Sequence, residues 1–261
     1  MLGKLLKYDF KAIFKPLAPI LGITLLLSLL QRVSTILGEQ FTILKIPAGF
    51  LTGFYVVLLI ALPIASFIFS IIKYYNNLAK DEGYLMHTLP VSKSQLVASK
   101  LISAVVAMFA TILVMIIALS ITFAGIIDIS DIASFFEQVF QYLEPLFVIM
   151  MFLSLVLSYL SQQVLCYLSM ALGQKHNNHK VMYSIIYGIV IYNAIQLVLT
   201  AILIIPGFLN SSFREILFGN QNPSVDFLIC YLGFANIVTI IITVLLYLAT
   251  TKVLEKHLNL D

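Results

Sequence analysis

Side chains that could carry out chemistry are sparse in this chain, and they do not form a recognisable catalytic set. Asp81 and Glu82 are the strongest candidates for an acid and a base, but adjacent residues of a helix point in different directions. A solvated or partner-facing charged turn is the expected role of this pair. The histidines are His87, His176, His179 and His257, and none has a convincing set of nearby partners in the sequence. We therefore predict no catalytic residue.

Motifs for nucleotides and metals are also missing from the sequence. There is no G-x-x-x-x-G-K-[ST] loop to hold ATP phosphates and no H-E-x-x-H zinc signature. His176 and His179 could share one side of a helix, but metal binding needs further ligands. A solvated connector is the expected role of their loop, and a second contact to a cytoplasmic partner is the alternative. We therefore predict that the chain holds no metal or cofactor, is not an enzyme and has no nucleic-acid partner.

Five amides and two cysteines interrupt the apolar stretches. Each amide needs a hydrogen-bond partner inside a bilayer, so these side chains should face other helices or an aqueous route. The two roles, packing between helices and lining a pathway, both remain open. The residues are Gln162, Gln163, Asn193, Gln196, Asn236, Cys166 and Cys230. Since the cysteines lie in apolar stretches, free thiols are expected and a disulfide framework is not.

Composition determines the class of protein that must position these groups. Hydrophobic residues make up 61% of the 261 residues, charged residues 10%, and the mean hydropathy is +1.04. So apolar a chain belongs in a membrane. Six stretches have the roughly 20 apolar residues that a helical span needs: Leu17–Leu37, Pro47–Ile72, Leu101–Ile127, Pro145–Leu172, Tyr183–Pro206 and Phe227–Thr250. The prediction is an all-α membrane protein, with residues 1–261 forming a single domain.

The segment before the first span has its own amphipathic pattern. Apolar residues recur at helical spacing on one side, and lysines occupy another. The apolar residues are Leu2, Leu6, Phe10, Ile13 and Leu17, and the lysines are Lys4, Lys7, Lys11 and Lys15. Residues 1–16 are therefore predicted to form a helix in the membrane interface, its lysines near anionic lipid, with Pro16 permitting a change of direction.

The distribution of basic residues predicts the orientation. If both termini are cytoplasmic, twelve of the 15 lysines and arginines face the cytoplasm, as the positive-inside rule prefers. Only Arg32, Lys45 and Arg214 then lie outside. An even number of spans agrees with this arrangement, because it puts both termini on the same side. The predicted location is the plasma membrane.

Further local patterns refine the membrane domain. Ser103, Ala107 and Thr111 repeat every four residues and favour close helix packing, within the chain or in a dimer. The outer connection from Asp128 to Glu144 is predicted to be a helix, with Asp131 as its cap, followed by Pro145 in a first helical turn.

The stretch from Lys73 to Lys100 is the longest strongly polar interval between two spans. An acidic turn that contains Gly83 interrupts the apolar pattern, and Pro90 disfavours helical geometry at the residue before it. Ser92 and Gln95 then have the spacing of a capping box that begins the next helix. The interval is predicted to be a compact cytoplasmic elbow that docks to a partner.

Residues 78–104, LAKDEGYLMHTLPVSKSQLVASKLISA, resemble the cytoplasmic region after the second span in ABC-2 type transporter permeases. The family shows an acidic, glycine-containing turn, then a Leu-x-x-x-Leu-Pro-Val-Ser-like run and a basic entrance to the third span. The matching positions here are Asp81, Glu82, Gly83, Leu85, Leu89, Pro90, Val91, Ser92 and Lys100. The sequence departs from the family after the turn, where Gly83 is followed by Tyr-Leu-Met rather than a Thr-Leu-Glu-like run.

The resemblance implies a permease subunit of an ATP-driven exporter that moves a hydrophobic or amphiphilic substrate. Its elbow, residues 73–100, would dock as a coupling helix on a separate ATPase, which would bind ATP and Mg²⁺. The implied ATPase-coupling residues are Asp81, Glu82, Gly83, Tyr84, Leu85, Leu89 and Pro90. A second permease subunit, identical or different, would complete the transporter. The alternative is a non-transporting membrane interaction or immunity protein that binds a cytosolic partner through the same elbow.

Overall fold

The computed structural model describes residues 2–79, 91–125, 129–142, 144–176, 179–209 and 224–256, and over these ranges the chain is helical, without β-strands. The α-helices are α1 (Leu2–Gln40), α2 (Lys45–Tyr74), α3 (Lys93–Phe123), α4 (Ile129–Tyr142), α5 (Pro145–Gly173), α6 (Lys180–Leu209) and α7 (Val225–Lys256). A 3₁₀ turn at Thr42–Leu44 joins α1 to α2, and a π-helical turn at Tyr75–Ala79 extends α2. The all-α prediction is confirmed.

Six helices in the described ranges are long and apolar enough to cross a membrane, namely α1, α2, α3, α5, α6 and α7. The prediction of six spans is therefore confirmed. Helix α4 has 14 residues, about 21 Å at 1.5 Å per residue, which is too short to cross. Asp131 lies within the first turn of α4 rather than before it, so it is a first-turn acid and not the predicted cap.

The first helix differs from its predicted outline because it continues without a break through Pro16 and Pro19. Helix α1 has 39 residues, and the segment predicted to lie in the interface is its first part. Each proline removes a backbone donor and favours a kink. Packing keeps the helix intact, since Ile13 and Leu17 are buried against Ala107 of α3 on either side of Pro16.

The helices pack into two compact units, the first built on α1, α2 and α3 and the second on α5, α6 and α7. The prediction that residues 1–261 form a single domain stays a prediction.

In the first unit, α1 packs against both α2 and α3. Paired contacts advance together along α1 and α3, from Asp9 with Lys100 to Leu17 with Ala107, so these two helices run parallel. Gln31 near the end of α1 donates a 2.6 Å hydrogen bond to Thr52 near the start of α2, as expected of an antiparallel hairpin.

The small residues of α3 serve the interior of this unit. Ser103, Ala107 and Thr111 are all buried, and Ala107 contacts Ile13 and Leu17 of α1. Of the two roles open for this pattern, the structure assigns Ala107 to packing within the chain. Because small side chains let backbones approach closely, α1 and α3 can lie side by side over much of their length.

In the second unit, α5 packs against both α6 and α7. The predicted Pro145 is in the first turn of α5. At the other end of α5, Gly173 lies close to the start of α6: an added Cβ would stand 2.7 Å from the Lys180 carbonyl oxygen and 2.8 Å from the Ser184 backbone nitrogen. Only glycine allows this approach without a shift of backbone.

We expect Gly173→Ala to destabilise the second unit by about 1–3 kcal/mol through overpacking. Gly188→Ala is the matched control, since its Cβ would meet Ser169 at an ordinary 3.5 Å and alanine is the better helix former. Thermal unfolding of both variants in mild detergent measures the difference. Equal melting temperatures would show that α5 and α6 are less closely packed at Gly173.

Candidate functional site

A buried ion pair joins α1 to α3 at the end of the first unit where α3 begins. Lys100 Nζ donates a hydrogen bond to Asp9 Oδ1, and both residues are 2% exposed. Ser99 Oγ lies 2.7 Å from Asp9 Oδ2 as a donor, so both carboxylate oxygens accept a hydrogen bond. Lys100 is the basic residue at the predicted entrance to the third span, and the structure gives it a partner 91 residues earlier.

Helix α2 completes the same end of the unit with polar side chains of its own. Tyr74 is 1% exposed and Asn77 is 7% exposed. Asn77 belongs to the π-helical turn Tyr75–Ala79, a rare geometry that often marks functional positions. Asn77 and Asp9 line one cavity, so these polar residues lie at the same end of the unit, and we call them the basal cluster: Asp9, Tyr74, Asn77, Ser99 and Lys100.

The basal cluster lies at the two roots of the predicted elbow. Asn77 is near the end of the helix that leads into it, and Lys100 is in the second turn of the helix that leaves it. The predicted helix start is confirmed with Ser92 as its N-cap, since Gln95 N donates a 3.3 Å hydrogen bond to Ser92 Oγ and α3 begins at Lys93. The predicted coupling residues Asp81, Glu82, Gly83, Tyr84, Leu85, Leu89 and Pro90 lie outside the described residues.

Tyr74, Asn77, Ser99 and Asp9 are site residues that the sequence did not identify, and Asp9 is the one that left a readable signal. The buried stripe of the first turns of α1 is Leu5, Asp9, Ile13 and Leu17, four residues apart, whereas the predicted apolar face had Leu6 and Phe10, which are only partly buried. The available signal was a carboxylate in register with three apolar residues. Such a position demands a cation from another element.

A cavity of about 410 Å³ opens beside the basal cluster, between the start of α1 and the end of α2. Its lining combines apolar surface with charge, and it includes two members of the cluster. The lining residues are Leu5, Tyr8, Asp9, Lys11, Ala12, Lys15, Lys73 and Asn77. Lys11 and Lys15 are exposed and Lys73 is half-buried.

The five predicted amides have separate environments in the second unit. Asn236 is 4% exposed and ties α7 to α5, because its Oδ1 accepts a 2.7 Å hydrogen bond from Ser154 and its Nδ2 donates at 3.3 Å to the Met150 carbonyl. These contacts assign Asn236 to helix packing, one of the two roles that the sequence left open. Gln163 is fully buried, and its Nε2 donates to Tyr159 Oη at 3.2 Å.

The other three amides, Gln162, Asn193 and Gln196, are exposed at the surface of the chain. Asn193 donates a 2.8 Å hydrogen bond to the carbonyl of Ile189 one turn earlier on its own helix. Within the described residues, no hydrogen bond joins the five amides to one another. They therefore do not form one polar site.

His176 packs on the start of α6. The His176 ring stacks on Tyr183 with centroids 3.8 Å apart, and His176 Nε2 lies 3.1 Å from Tyr187 Oη. His179 has a positive φ of 58°. No group of three or more potential metal ligands occurs in the part of the chain that the structure describes. Cys166 and Cys230 are free thiols, as predicted.

Comparison with known proteins found no relative of this chain. No family model, no curated protein and no solved structure matches the chain. The resemblance of residues 78–104 to ABC-2 permeases therefore stays a prediction from sequence, and the basal cluster is interpreted from its own chemistry.

We expect Lys100→Met to destabilise the protein by about 3–5 kcal/mol, because it leaves the Asp9 carboxylate buried without its cation. Combining it with Asp9→Leu removes the stranded charge and should recover most of that loss. Lys7→Met, an exposed lysine of the same helix, is the control and should change little. Thermal unfolding in mild detergent measures the stability of the wild type, the two single variants and the double variant. A double variant no more stable than Lys100→Met would rule out a coupled pair.

Proposed function

We propose that this protein is the transmembrane permease subunit of an ATP-driven ABC exporter that uses a separate ATPase subunit. Six membrane-crossing helices and the resemblance of residues 78–104 support this assignment. The observation that carries it is the basal cluster, in which Lys100 and Ser99 at one root of the predicted elbow bind Asp9 of α1, and Asn77 at the other root lines a cavity with Asp9.

The basal cluster provides a way to transmit force. A partner that pushed on the elbow would move the end of α2 and the start of α3 together, since both belong to the same packed unit. Lys100 holds Asp9, so α1 would move with them as a rigid body rather than slide. Rigid-body movement of such a unit could open a path between permease subunits.

The energy source belongs to the partner in this proposal. The chain has no phosphate-binding loop, so ATP and Mg²⁺ would bind to the ATPase, and this subunit would not be an enzyme by itself. Gln162, Asn193 and Gln196 support a second permease subunit or a polar route beside α5 and α6, since exposed amides in a membrane helix require partners.

The proposed location is the plasma membrane, with both termini and the elbow in the cytoplasm. Twelve of 15 basic residues face inward in this orientation. The substrate class is hydrophobic or amphiphilic, which suits a domain whose described surface carries large apolar side chains along every span. A soluble ATPase can reach the elbow only from this side.

Purification of the tagged chain from its native membrane in mild detergent tests the proposal directly. An ABC ATPase should co-purify, and ATP should change accumulation of a fluorescent amphiphile in vesicles that contain the complex. Capture of a different cytosolic protein, together with ATP-independent accumulation, would instead favour the non-transporting interaction or immunity protein.

We expect Gly83→Trp, and separately Leu85→Ser with Leu89→Ser, to uncouple ATP hydrolysis from transport while membrane insertion stays intact. Loss of a central contact worth roughly 1.4 kcal/mol would lower transport per ATP hydrolysed about tenfold. The control is Glu137→Ser with Gln138→Ser, two exposed residues of α4. Normal coupling in the elbow variants of a reconstituted complex would refute the assignment of these residues.

A further inference from the structure

The cavity beside the basal cluster has an excess of positive charge. Among the described residues, Lys11, Lys15 and Lys73 line it, and the carboxylate of Asp9 is the acidic group of the lining. That carboxylate is already neutralised by the buried ammonium of Lys100. Three lysines therefore face the cavity without an acidic side chain of the lining to offset them, and the space they enclose favours an anion.

Both walls of the cavity lie where a membrane helix leaves the hydrocarbon. Helix α1 is about 58 Å long at 1.5 Å per residue, whereas the hydrocarbon core is about 30 Å thick. The residues from Leu17 to the end of α1 alone are long enough to cross it. Leu5 to Lys15 and the end of α2 at Lys73 therefore fall in the headgroup region.

The lining also has the mixed character that a lipid requires. Leu5, Tyr8 and Ala12 supply apolar and aromatic surface beside the lysines, and the buried amide of Asn77 adds a polar group. A volume of about 410 Å³ is within the range of small-ligand sites. Basic pockets between membrane helices are recurrent sites for phosphate-bearing headgroups.

We propose that this cavity binds a phosphate ester, supplied by the headgroup of an anionic phospholipid. Lys11 and Lys15 from α1 and Lys73 from α2 contact the phosphate, and Asn77 contacts the polar part of the headgroup. The acyl chains leave along the apolar residues of α1. Because the lysines come from two helices, the bound lipid holds the start of α1 to the end of α2, next to the ion pair that holds α1 to α3.

The test compares two double variants that remove equal charge from the same helix. Lys11→Gln with Lys15→Gln removes cavity lysines, and Lys4→Gln with Lys7→Gln removes exposed lysines outside the lining. The purified full chain is stripped of lipid in neutral detergent and titrated with phosphatidylglycerol or with phosphatidylcholine of the same acyl chains. Native mass spectrometry measures binding, and thermal unfolding measures the stability of each protein.

Phosphatidylglycerol should bind the wild type and the Lys4/Lys7 variant alike, and should bind the Lys11/Lys15 variant roughly 30-fold more weakly, as expected for two lost lysine contacts. Lys73→Gln, which changes the α2 wall of the cavity, should weaken binding roughly fivefold. Replacement of Lys11 and Lys15 by arginine should restore it. Unchanged melting temperatures without lipid would show that the variants fold normally. If the melting temperatures shift, the ratio of lipid binding between variant and wild type, measured at one fixed temperature, still tests the proposal.

Three results would overturn the proposal. Equal binding by the two double variants would mean diffuse attraction to surface charge, and equal binding of phosphatidylcholine would mean that charge is not recognised. The third arm uses soluble glycerophosphoglycerol, the headgroup without acyl chains. If it binds as tightly as the lipid, the ligand is a free phosphate ester and the membrane source is wrong.

Discussion

The buried pair of Asp9 and Lys100 is the constraint on which the first unit depends. Each charge would be very costly to bury alone, so neither can occupy its site unless the other is opposite. A hydrophobic pair of similar size can stabilise a protein as well as an ion pair does. What the ion pair adds is register: a shift of α1 along α3 by one turn would separate the charges and also remove Ile13 and Leu17 from Ala107.

The helices of the second unit are joined by neutral polar groups instead of an ion pair. Asn236 holds α7 to α5 through Ser154 and the Met150 carbonyl, and no charge is buried in that contact. Hydrogen bonds between neutral groups in membranes contribute only about 0.6 kcal/mol on average, with a maximum of about 1.7 kcal/mol. Separation of such a contact costs far less than separation of a buried ion pair. The ion pair thus fixes α1 to α3 more firmly than Asn236 fixes α7 to α5, and α3 is the helix that follows the predicted elbow.

Sequence reasoning succeeded where one strong local signal determined the structure. Span length and hydropathy predicted six crossings, and the spacing of Ser92 and Gln95 predicted the start of α3. It failed where the deciding interaction is distant in sequence. Pro16 suggested a change of direction because the packing of Ile13 and Leu17 against α3 is invisible locally, and Asp9 was overlooked because its cation lies 91 residues away. Neighbouring Gln162 and Gln163 show the same limit, since only helix packing reveals that one is exposed and the other buried.

The ion pair and the lysine cavity depend on each other through Asp9, which belongs to both. Without Lys100, the Asp9 carboxylate would face the cavity as a fixed negative charge and would oppose any anion there. Because Lys100 and Ser99 occupy both carboxylate oxygens, the charges of the described lining that face an anion are those of Lys11, Lys15 and Lys73. A displacement of α3 that weakened the pair would therefore also weaken the attraction of the cavity for a phosphate. If the cavity binds lipid as proposed, movement at the root of the predicted elbow and lipid binding would share one buried charge, and each would bias the other.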